Sequence, residues 1–219
     1  MKKLIIFGNS PLAKLIHFFF TRDSKYEVVA FTVDKEFLKE DTFCGLPVIP
    51  FDHIQNEWSP MEYDMFVAVG PKTMNTLREK KFDESKEKGY FLASYISPNS
   101  VCNSPIGENS FIGDFVSINP FCQIGFDNFF WEGSIILSDA TVYNHCYFSP
   151  RAILSPYSVV YNNCIVGAGS IVKSNTKVLM NTLIGANCYL SIDSQENAVF
   201  GVKSTDCLGL ISKKVDITI

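Results

Sequence analysis

The segment Ile106-Gly-Glu-Asn-Ser-Phe-Ile112-Gly-Asp-Phe-Val-Ser-Ile118 opens a run in which an apolar residue recurs every six positions as far as Leu190. Four residues after each of these positions stands a second column of mostly small side chains, from Ser110 to Ser194. A helix has a period near 3.6 and a half-buried strand a period of 2, so a strict period of six is typical of a parallel β-helix of hexapeptide repeats. With three hexads to a coil, the run predicts a prism of about five coils.

Length and composition suggest two structural units without a nucleic-acid or membrane function. The chain has 219 residues, and its repeat begins near residue 100. The net charge of −4 argues against a basic patch for nucleic acid. The most apolar early stretch, residues 12–20, is interrupted by Lys14 and His17, so we expect neither a signal peptide nor a membrane span. These features predict a soluble cytoplasmic protein.

The cysteines and histidines do not form a metal-binding pattern. Four of the seven cysteines fall on the second column of the repeat, where a thiol packs as a small apolar group: Cys122, Cys146, Cys164 and Cys188. The chain has three histidines, at positions 17, 53 and 145, none with zinc-site spacing. We therefore expect no metal.

The first 98 residues alternate strand-like and helix-like segments. Strands are predicted at 3–8, 27–32, 46–50, 65–69 and 90–96, and helices at about 11–20 and 72–88, with Ser10 as the N-cap of the first helix. Alternation of this kind is typical of a parallel sheet. The sequence thus predicts a Rossmann-like α/β lobe over residues 1–98 and a β-helix domain with a short C-terminal tail over 99–219.

Ligands of such a lobe bind where the parallel strands end. The residues at those ends are Gly8, Asn9, Ser10, Asp34 and Gly70. The helix that starts after Ser10 favours an anion, and Asp34 stands where a doubly wound fold places a carboxylate near a ribose. A plain strand-to-helix turn and a solvated aspartate explain the same residues, so both interpretations stay open.

The repeat and the N-terminal third together resemble a known family. The segments 66–75 (Phe-Val-Ala-Val-Gly-Pro-Lys-Thr-Met-Asn) and 88–98 (Lys-Gly-Tyr-Phe-Leu-Ala-Ser-Tyr-Ile-Ser-Pro) are similar to left-handed β-helix acyltransferases that modify nucleotide-linked sugars. That group includes sialic-acid O-acetyltransferases and bacillosamine-pathway N-acetyltransferases. The resemblance implies a left-handed prism, a homotrimer, acetyl-CoA as donor and a nucleotide-linked sugar as acceptor, held by Asn9, Ser10, Asp34 and Gly70.

The resemblance also implies a catalytic histidine, third in its hexad, and here the sequence departs from the family. The register places the base position at Ser138, with Asp139 beside it, and replaces a later cleft histidine with Arg151. His145 in Asn-His-Cys is similar to the motif but aligns one hexad later. The catalytic candidates are therefore Ser138, Asp139 and His145, and Arg151 is a candidate for gripping an anionic group of the substrate.

Coenzyme A lies in the resembling family along the groove between neighbouring prisms, against glycine-containing turns. The matching positions are Gly167, Ala168 and Gly185, with Lys173 and Lys203 available for its phosphates. Trp131 is expected in the wall of the sugar pocket or in a subunit interface.

Three functions follow from these patterns. The first is an acyl-CoA-dependent N-acyltransferase acting on a nucleotide-linked amino sugar for surface polysaccharide or glycan synthesis. The second is an enzyme of the same architecture that acylates a hydroxyl or uses another donor. The third is a scaffold or sugar-nucleotide-binding protein that has lost its base.

Overall fold

The computed structural model describes residues 1–203, which form an α/β lobe followed by a prism. Residues from 204 onward, including the predicted tail, lie outside the described part. The strands of the lobe are β1 (Lys2–Phe7), β2 (Tyr26–Val33), β3 (Thr42–Phe43), β4 (Leu46–Pro50) and β5 (Tyr63–Val67). Its helices are α1 (Pro11–Asp23) and α2 (Thr76–Glu87), with short 3-10 turns at Lys35–Phe37 and Ile54–Asn56.

The lobe is a five-stranded sheet in the order β3-β4-β2-β1-β5. The strands are parallel except at the β3–β4 pair. The predicted Rossmann-like lobe is confirmed. As predicted, Ser10 caps α1, its Oγ accepting from the Ala13 N–H at 3.4 Å. The carboxyl ends of β1, β2 and β5 consequently meet at one edge of the sheet.

Two predicted elements of the lobe were wrong in extent. The second helix begins at Thr76 and not at residue 72, because Thr73, Met74 and Asn75 adopt left-handed backbone conformations with φ of 52, 52 and 64°. The strand predicted over 90–96 is divided: Leu92 forms a single parallel bridge with Met65, and Tyr95–Ile96 already pairs inside the prism. The first strand of the prism begins at Tyr95, three residues before the end of the lobe predicted at residue 98. The predicted boundary between the two domains stays a prediction.

The prism consists of two-residue strands. They are β6 (Tyr95–Ile96), β7 (Val101–Cys102), β8 (Phe111–Ile112), β9 (Ser117–Ile118), β10 (Gln123–Ile124), β11 (Phe129–Phe130), β12 (Ile135–Ile136), β13 (Thr141–Val142), β14 (Tyr147–Phe148), β15 (Ile153–Leu154), β16 (Val159–Val160), β17 (Ile165–Val166), β18 (Ile171–Val172), β19 (Lys177–Val178), β20 (Leu183–Ile184), β21 (Tyr189–Leu190) and β22 (Val199–Phe200).

These strands stack into three parallel sheets, which are the faces of the prism. Their orders are β10-β13-β16-β19, β22-β20-β17-β14-β11-β8-β6 and β21-β18-β15-β12-β9-β7. In the body of the prism, paired residues are eighteen apart, as in Phe129 with Tyr147. One coil therefore contains three hexads, and the predicted left-handed parallel β-helix is confirmed.

Both columns of the repeat point into the prism. Thirteen of the fifteen large positions are buried and the other two, Ile106 and Ile124, are half-buried. All fifteen positions of the small column are buried, including the four predicted cysteines. Since each coil buries its residues against the coils above and below, the repeat itself builds the core.

A third periodic feature lies at the corners of the prism. The residue three places after each large position from Ile106 to Ile184 adopts a left-handed backbone conformation, for example Asp139 with φ of 61° and His145 with φ of 59°. Asparagine, aspartate and histidine are enriched among non-glycine residues in this conformation. The left-handed conformation of the turn is therefore one reason why asparagine, aspartate and histidine occur at the corners.

Stacked turns also approach each other so closely that some turn positions beside the corners require glycine. A Cβ added to Gly167 would lie 2.5 Å from the carbonyl carbon of Gly185. We expect Gly167→Ala to lower the free energy of unfolding by about 1–3 kcal/mol because one coil must move. Denaturant unfolding should show this loss, whereas Gly201→Ala, whose Cβ would meet nothing within 4 Å, should change it by less than about 0.5 kcal/mol. Equal stability of the two variants would contradict the close approach.

Candidate functional site

A cavity of about 520 Å³ lies at the carboxyl edge of the lobe sheet. We call it the loop cavity, and its lining includes all five lobe residues predicted from the sequence: Gly8, Asn9, Ser10, Asp34 and Gly70. The N-terminus of α1 opens into it through Ser10, Pro11 and Leu12. A helix N-terminus presents unpaired N–H groups and a positive dipole end, which suits an anion.

Gly8 gives the loop cavity its shape. Its φ is 124°, and an added Cβ would lie 2.9 Å from the carbonyl oxygen of Ala68. The backbone after β1 therefore passes too close to the backbone after β5 for any side chain. Glycine at this position has a structural reason in addition to any contact with a ligand.

Asp34 is held by a lysine that the sequence analysis did not find. Nζ of Lys81 donates to Oδ1 of Asp34 at 2.7 Å and to Oε2 of Glu84 at 2.6 Å. Burial alone lowers the pKa of Lys81, but its hydrogen bonds to the two carboxylates outweigh burial and raise that pKa above its ordinary value. The ammonium stays charged, and the carboxylate of Asp34 is fixed at the rim of the loop cavity.

The corners of the prism stack into three edges, which we name by their residues. The lobe edge carries Asn109, Asp127, His145, Asn163 and Asn181; the arginine edge carries Phe115, Gly133, Arg151, Gly169 and Asn187; the aspartate edge carries Phe121, Asp139, Tyr157 and Asn175. Neighbours within an edge are eighteen residues apart and lie one coil from each other. Residues on different edges of one chain are separated by a face of the prism.

His145 lies on the lobe edge and is buried against the lobe. It is 4% exposed, its Nδ1 lies 2.7 Å from Oδ2 of Asp127, and its Nε2 lies 3.8 Å from Oε1 of Glu79. Its ring makes T-shaped contacts with the rings of Phe82 and Phe126, with ring centres 5.6 and 5.2 Å apart. Both ring nitrogens face carboxylates inside one chain, so the structure gives His145 a part in joining the lobe to the prism. Its role as a base stays a prediction.

The centre of this joint is a fully buried ion pair. Nε of Arg78, on α2, donates to Oδ2 of Asp127 at 3.0 Å, and both side chains are 0% exposed. Arg78 also donates to the carbonyl oxygens of Asp127 and Cys146, and its guanidinium lies 4.7 Å from the ring centre of Phe129. Asn109 extends the network by donating to Oδ1 of Asp127 at 2.6 Å. A buried charge with this many partners ties α2 firmly to the first coils.

A second ion pair joins the lobe to the arginine-edge corner. Arg22, in the last turn of α1, donates to both carboxylate oxygens of Asp114 at 3.0 and 2.8 Å. The guanidinium, together with hydrogen bonds from Ser97 and Asn99, lowers the pKa of Asp114 to about 2. Between the two ion pairs, aromatic rings of the lobe pack on the prism face, as Phe66 does on Phe129 at 5.7 Å.

The other predicted residues are distributed over two edges. Ser138 is half-buried and Asp139 exposed at the aspartate edge, and the exposed Lys173 stands two coils further along the same corner. The arginine edge holds Arg151, which is exposed, and the turns of Gly167, Ala168 and Gly185. Lys203 is exposed at the end of the described residues.

Two groups of predicted residues have structural roles. Trp131 is 6% exposed and packs on Phe111, with ring centres 4.9 Å apart, in the core between lobe and prism. The N–H groups of Gly167 and Gly185 donate to Ile184 and Phe200 of the next coil, both at 2.7 Å. These glycine N–H groups are therefore engaged in stacking and are not free for a ligand.

All three histidines of the chain are accounted for away from the exposed edges. His17 is half-buried on α1 and burial lowers its pKa; His53 is exposed beside a 3-10 turn; His145 is buried at the lobe edge. Within residues 1–203 no cluster of histidine, cysteine, aspartate or glutamate has the geometry of a metal site. At the position predicted for the base stand the exposed Asp139 and the half-buried Ser138, and their catalytic role stays a prediction.

Several residues of the site were not predicted from the sequence, although the spacing of some of them could have indicated their position. Asn109, Asp127, His145 and Asn163 are spaced by eighteen, so the coil length alone would have placed them on one edge. Their partners Arg78 and Lys81 carry no such signal, because a charged helix is normally read as a solvated one.

Comparisons with known proteins confirm the predicted resemblance. Residues 3–85 match the PglD N-terminal domain family. A solved structure of a histidine mutant of perosamine N-acetyltransferase from Caulobacter crescentus, in complex with CoA and GDP-perosamine, superposes with a TM-score of 0.81 at 23% identity, over 90% of this chain and 92% of that one. A search of curated protein sequences found no match.

Two further structures share the two-part fold. The acetyltransferase domain of PglB from Neisseria gonorrhoeae, in complex with acetyl coenzyme A, gives a TM-score of 0.67 at 21% identity, over 86% of this chain and 92% of that one. WeeI from Acinetobacter baumannii gives a TM-score of 0.73 at 18% identity, over 91% of this chain and 94% of that one.

In the part of the chain that the structure describes, no helix combines the length and apolarity needed to cross a bilayer.

The Arg22–Asp114 pair predicts a measurable acid dependence of stability. Because the folded-state pKa of Asp114, about 2, lies below its ordinary value of 3.8, its contribution is complete above the ordinary value and is lost as the pH falls toward 2. Urea unfolding between about pH 5 and 2 should show a weaker pH dependence in Arg22→Gln than in the wild type. The control Lys86→Gln, which breaks an exposed pair with Glu108, should keep the wild-type slope. An unchanged slope in Arg22→Gln would contradict the assignment.

Proposed function

We propose that the protein transfers an acyl group, most simply acetyl, from an acyl-CoA to the amino group of a nucleotide-linked sugar used for surface polysaccharide or glycan synthesis. The observation that carries the proposal is the loop cavity, whose anion-favouring helix end and fixed Asp34 are joined by two ion pairs to an acyltransferase-type prism. Two structures with this fold are described as complexes with CoA or acetyl-CoA, and one of them also with GDP-perosamine.

The loop cavity suits the diphosphate of a nucleotide-linked sugar. The N-terminus of α1 and the exposed Lys72 supply positive potential to the lining, while the ammonium of Lys81 is offset by its pairs with Asp34 and Glu84. Its volume of about 520 Å³ lies in the range of about 300–1,000 Å³ that is usual for small-molecule sites. Asn9, Ser10, Asp34 and Gly70 are the residues we propose for this contact.

Coenzyme A fits the prism less completely. Lys173 and Lys203 are exposed cations that suit its phosphates, whereas the N–H groups of Gly167 and Gly185 are already bonded to the next coil. Ala168 and the two glycines would therefore contact coenzyme A mainly through van der Waals packing and less through hydrogen bonds. Lys173 and the glycine turns also lie on different edges, so they meet only where two prisms come together.

A second copy of the chain is therefore part of the proposal, as a homotrimer. Exposed aromatic side chains stand at the two edges away from the lobe: Phe115 is 72%, Phe121 78% and Tyr157 60% exposed. Each is held at a positive φ near 60°, which is costly for a bulky residue. Apolar surface of this kind is normally covered by another subunit, and sedimentation would measure the association.

In the proposed reaction the protein has to place the two substrates together and to accept one proton. The thioester supplies an activated carbonyl: the sugar nitrogen forms the new C–N bond, the C–S bond breaks, and the nitrogen loses one proton. Asp139 is an exposed carboxylate and Ser138 a half-buried hydroxyl on the edge where the register puts the base. Asp139 can accept that proton or orient the amine, and placement of both substrates can supply much of the rate.

A second candidate function is a scaffold that binds the nucleotide-linked sugar without acylating it. The placement of all three histidines away from the exposed edges favours this alternative. Transfer to a hydroxyl, with Arg151 gripping an anionic group, is a variant of the first proposal. A cytoplasmic location is part of the same proposal.

Calorimetric titration with acetyl-CoA, followed by a thiol-release assay on amino-sugar nucleotides, separates these functions. The transferase predicts one acetyl-CoA site per chain at about micromolar strength, together with coenzyme A release that requires the amino sugar. Titration with coenzyme A alone is the comparison. No binding at millimolar acetyl-CoA would contradict acetyl-CoA as the donor and favour the scaffold.

Three variants test the proposed base. We expect Asp139→Asn to lower kcat about 10²–10⁴-fold if the carboxylate takes the proton, and Ser138→Ala to have a smaller effect. His145→Asn retains a residue that tolerates the left-handed corner, and should lower stability while leaving the pH–rate profile unchanged. A profile that loses its acidic limb in His145→Asn, where the rate rises with pH as the base loses its proton, would instead identify His145 as the base.

A further inference from the structure

Asp34 is an aspartate whose side chain is not used by its own turn. It stands at the N-cap of the 3-10 turn Lys35–Phe37, yet makes no side-chain capping bond. Its Oδ1 accepts from Lys81 at 2.7 Å, and Oδ2 has no hydrogen-bond donor among residues 1–203. With the side chain one-quarter exposed, this leaves one fixed carboxylate oxygen free to accept from a ligand.

Lys81 is the reason that Asp34 is fixed. Its side chain is 6% exposed, against 67% for the neighbouring Lys80. Two of its three N–H donors bind Asp34 and Glu84, and its ammonium lies 5.4 Å from the ring centre of Phe7 and 5.3 Å from that of Phe51. A lysine this well enclosed cannot leave its partner as a surface lysine does, so removing it frees the carboxylate to rotate.

The Asp34–Lys81 pair also forms the boundary between two cavities. Both residues line the loop cavity and an adjoining cavity of about 870 Å³, which we call the side cavity. In the loop cavity Asp34 is the one acidic residue, whereas the side cavity contains four further acids: Glu36, Asp52, Glu84 and Glu87. The side cavity also contains Lys35, Lys80 and Lys88, so its acids outnumber its cations by one, whereas the cations of the loop cavity, Lys72 and Lys81, outnumber its acid by one. With the N-terminus of α1 beside it, the loop cavity suits a diphosphate better, and an uncharged base in the side cavity would place the ribose at Asp34.

We propose that Lys81 is a positioning residue that holds Asp34 as the acceptor for a ribose hydroxyl, and that the substrate is consequently a ribonucleotide-linked and not a 2′-deoxyribonucleotide-linked sugar. This inference rests on the proposed function, since it assumes a nucleotide in the loop cavity. In a doubly wound lobe the acid after the second strand accepts from the 2′-hydroxyl. A site built to bind a hydroxyl rejects the analogue that lacks it, because the carboxylate is left without its donor.

Two pairs of probes that differ by one oxygen test the proposal: GDP against 2′-deoxy-GDP, and UDP against 2′-deoxy-UDP. Calorimetric titration of the wild type should show tighter binding of the ribonucleotide by about tenfold to a hundredfold, the usual effect of one hydrogen bond to a charged group. Equal affinity within both pairs would overturn the inference while leaving nucleotide binding, and the proposed function, in place. Binding of none of the four probes would overturn both.

Variants then separate positioning from general stability. Asp34→Ala should weaken ribonucleotide binding and bring the ribo-to-deoxy ratio to about one, and Lys81→Met should lower the same ratio without touching the sugar itself. Lys81→Arg should restore part of the ratio. The matched control Lys86→Met, a lysine of the same helix that pairs with Glu108, should keep the full ratio. A full ratio in Lys81→Met would overturn its role, and if that variant does not fold, the ratio in Asp34→Ala decides the ribose contact.

Discussion

Hydrogen bonding between coils eighteen residues apart is the constraint on which the rest of the structure depends. Each two-residue strand is too short to be stable alone, and it persists because the same position of the next coil pairs with it. Since the spacing is fixed, every position of the hexad repeats on one face or edge. The inward positions become the core, and the fourth residue of each hexad from Ile106 to Ile184 becomes a left-handed corner.

The repetition also determines where the lobe attaches to the prism. Asn109, Asp127, His145 and Asn163 fall on a single edge. Asp127, His145 and Asn163 meet α2 through Arg78 and Glu79, and Asn109 bonds Asp127 and the backbone of Val67 in β5. A buried charge pair is costly to desolvate, so it acts as a specific lock more than as a source of stability. Lobe and prism are consequently held in one arrangement, and the loop cavity keeps a defined position relative to the prism. His145 is part of this lock, and its role as a base stays a prediction.

The sequence predicts what is periodic or local. Period six identifies the prism, and strand ends identify Gly8, Asn9, Ser10, Asp34 and Gly70, which the fold brings to one cavity. Long-range pairing is not predictable in this way: Lys81 and Asp34 are 47 residues apart, and Arg78 and Asp127 are 49 apart. The late start of α2 was missed because three consecutive left-handed residues, at 73–75, are not encoded by glycines. Gly167 was interpreted as a ligand contact, although coil stacking alone requires a glycine there.

The buried Arg78–Asp127 pair locks the lobe to the prism. A double-mutant cycle tests it directly, with Arg78→Met, with Asp127→Asn, which suits a left-handed corner, and with both changes. Unfolding free energies should show that each single change costs about 3–5 kcal/mol, because it leaves a buried charge or its donors unpaired. The double variant should lose less than the sum by more than about 1 kcal/mol. Additive losses would contradict the claim.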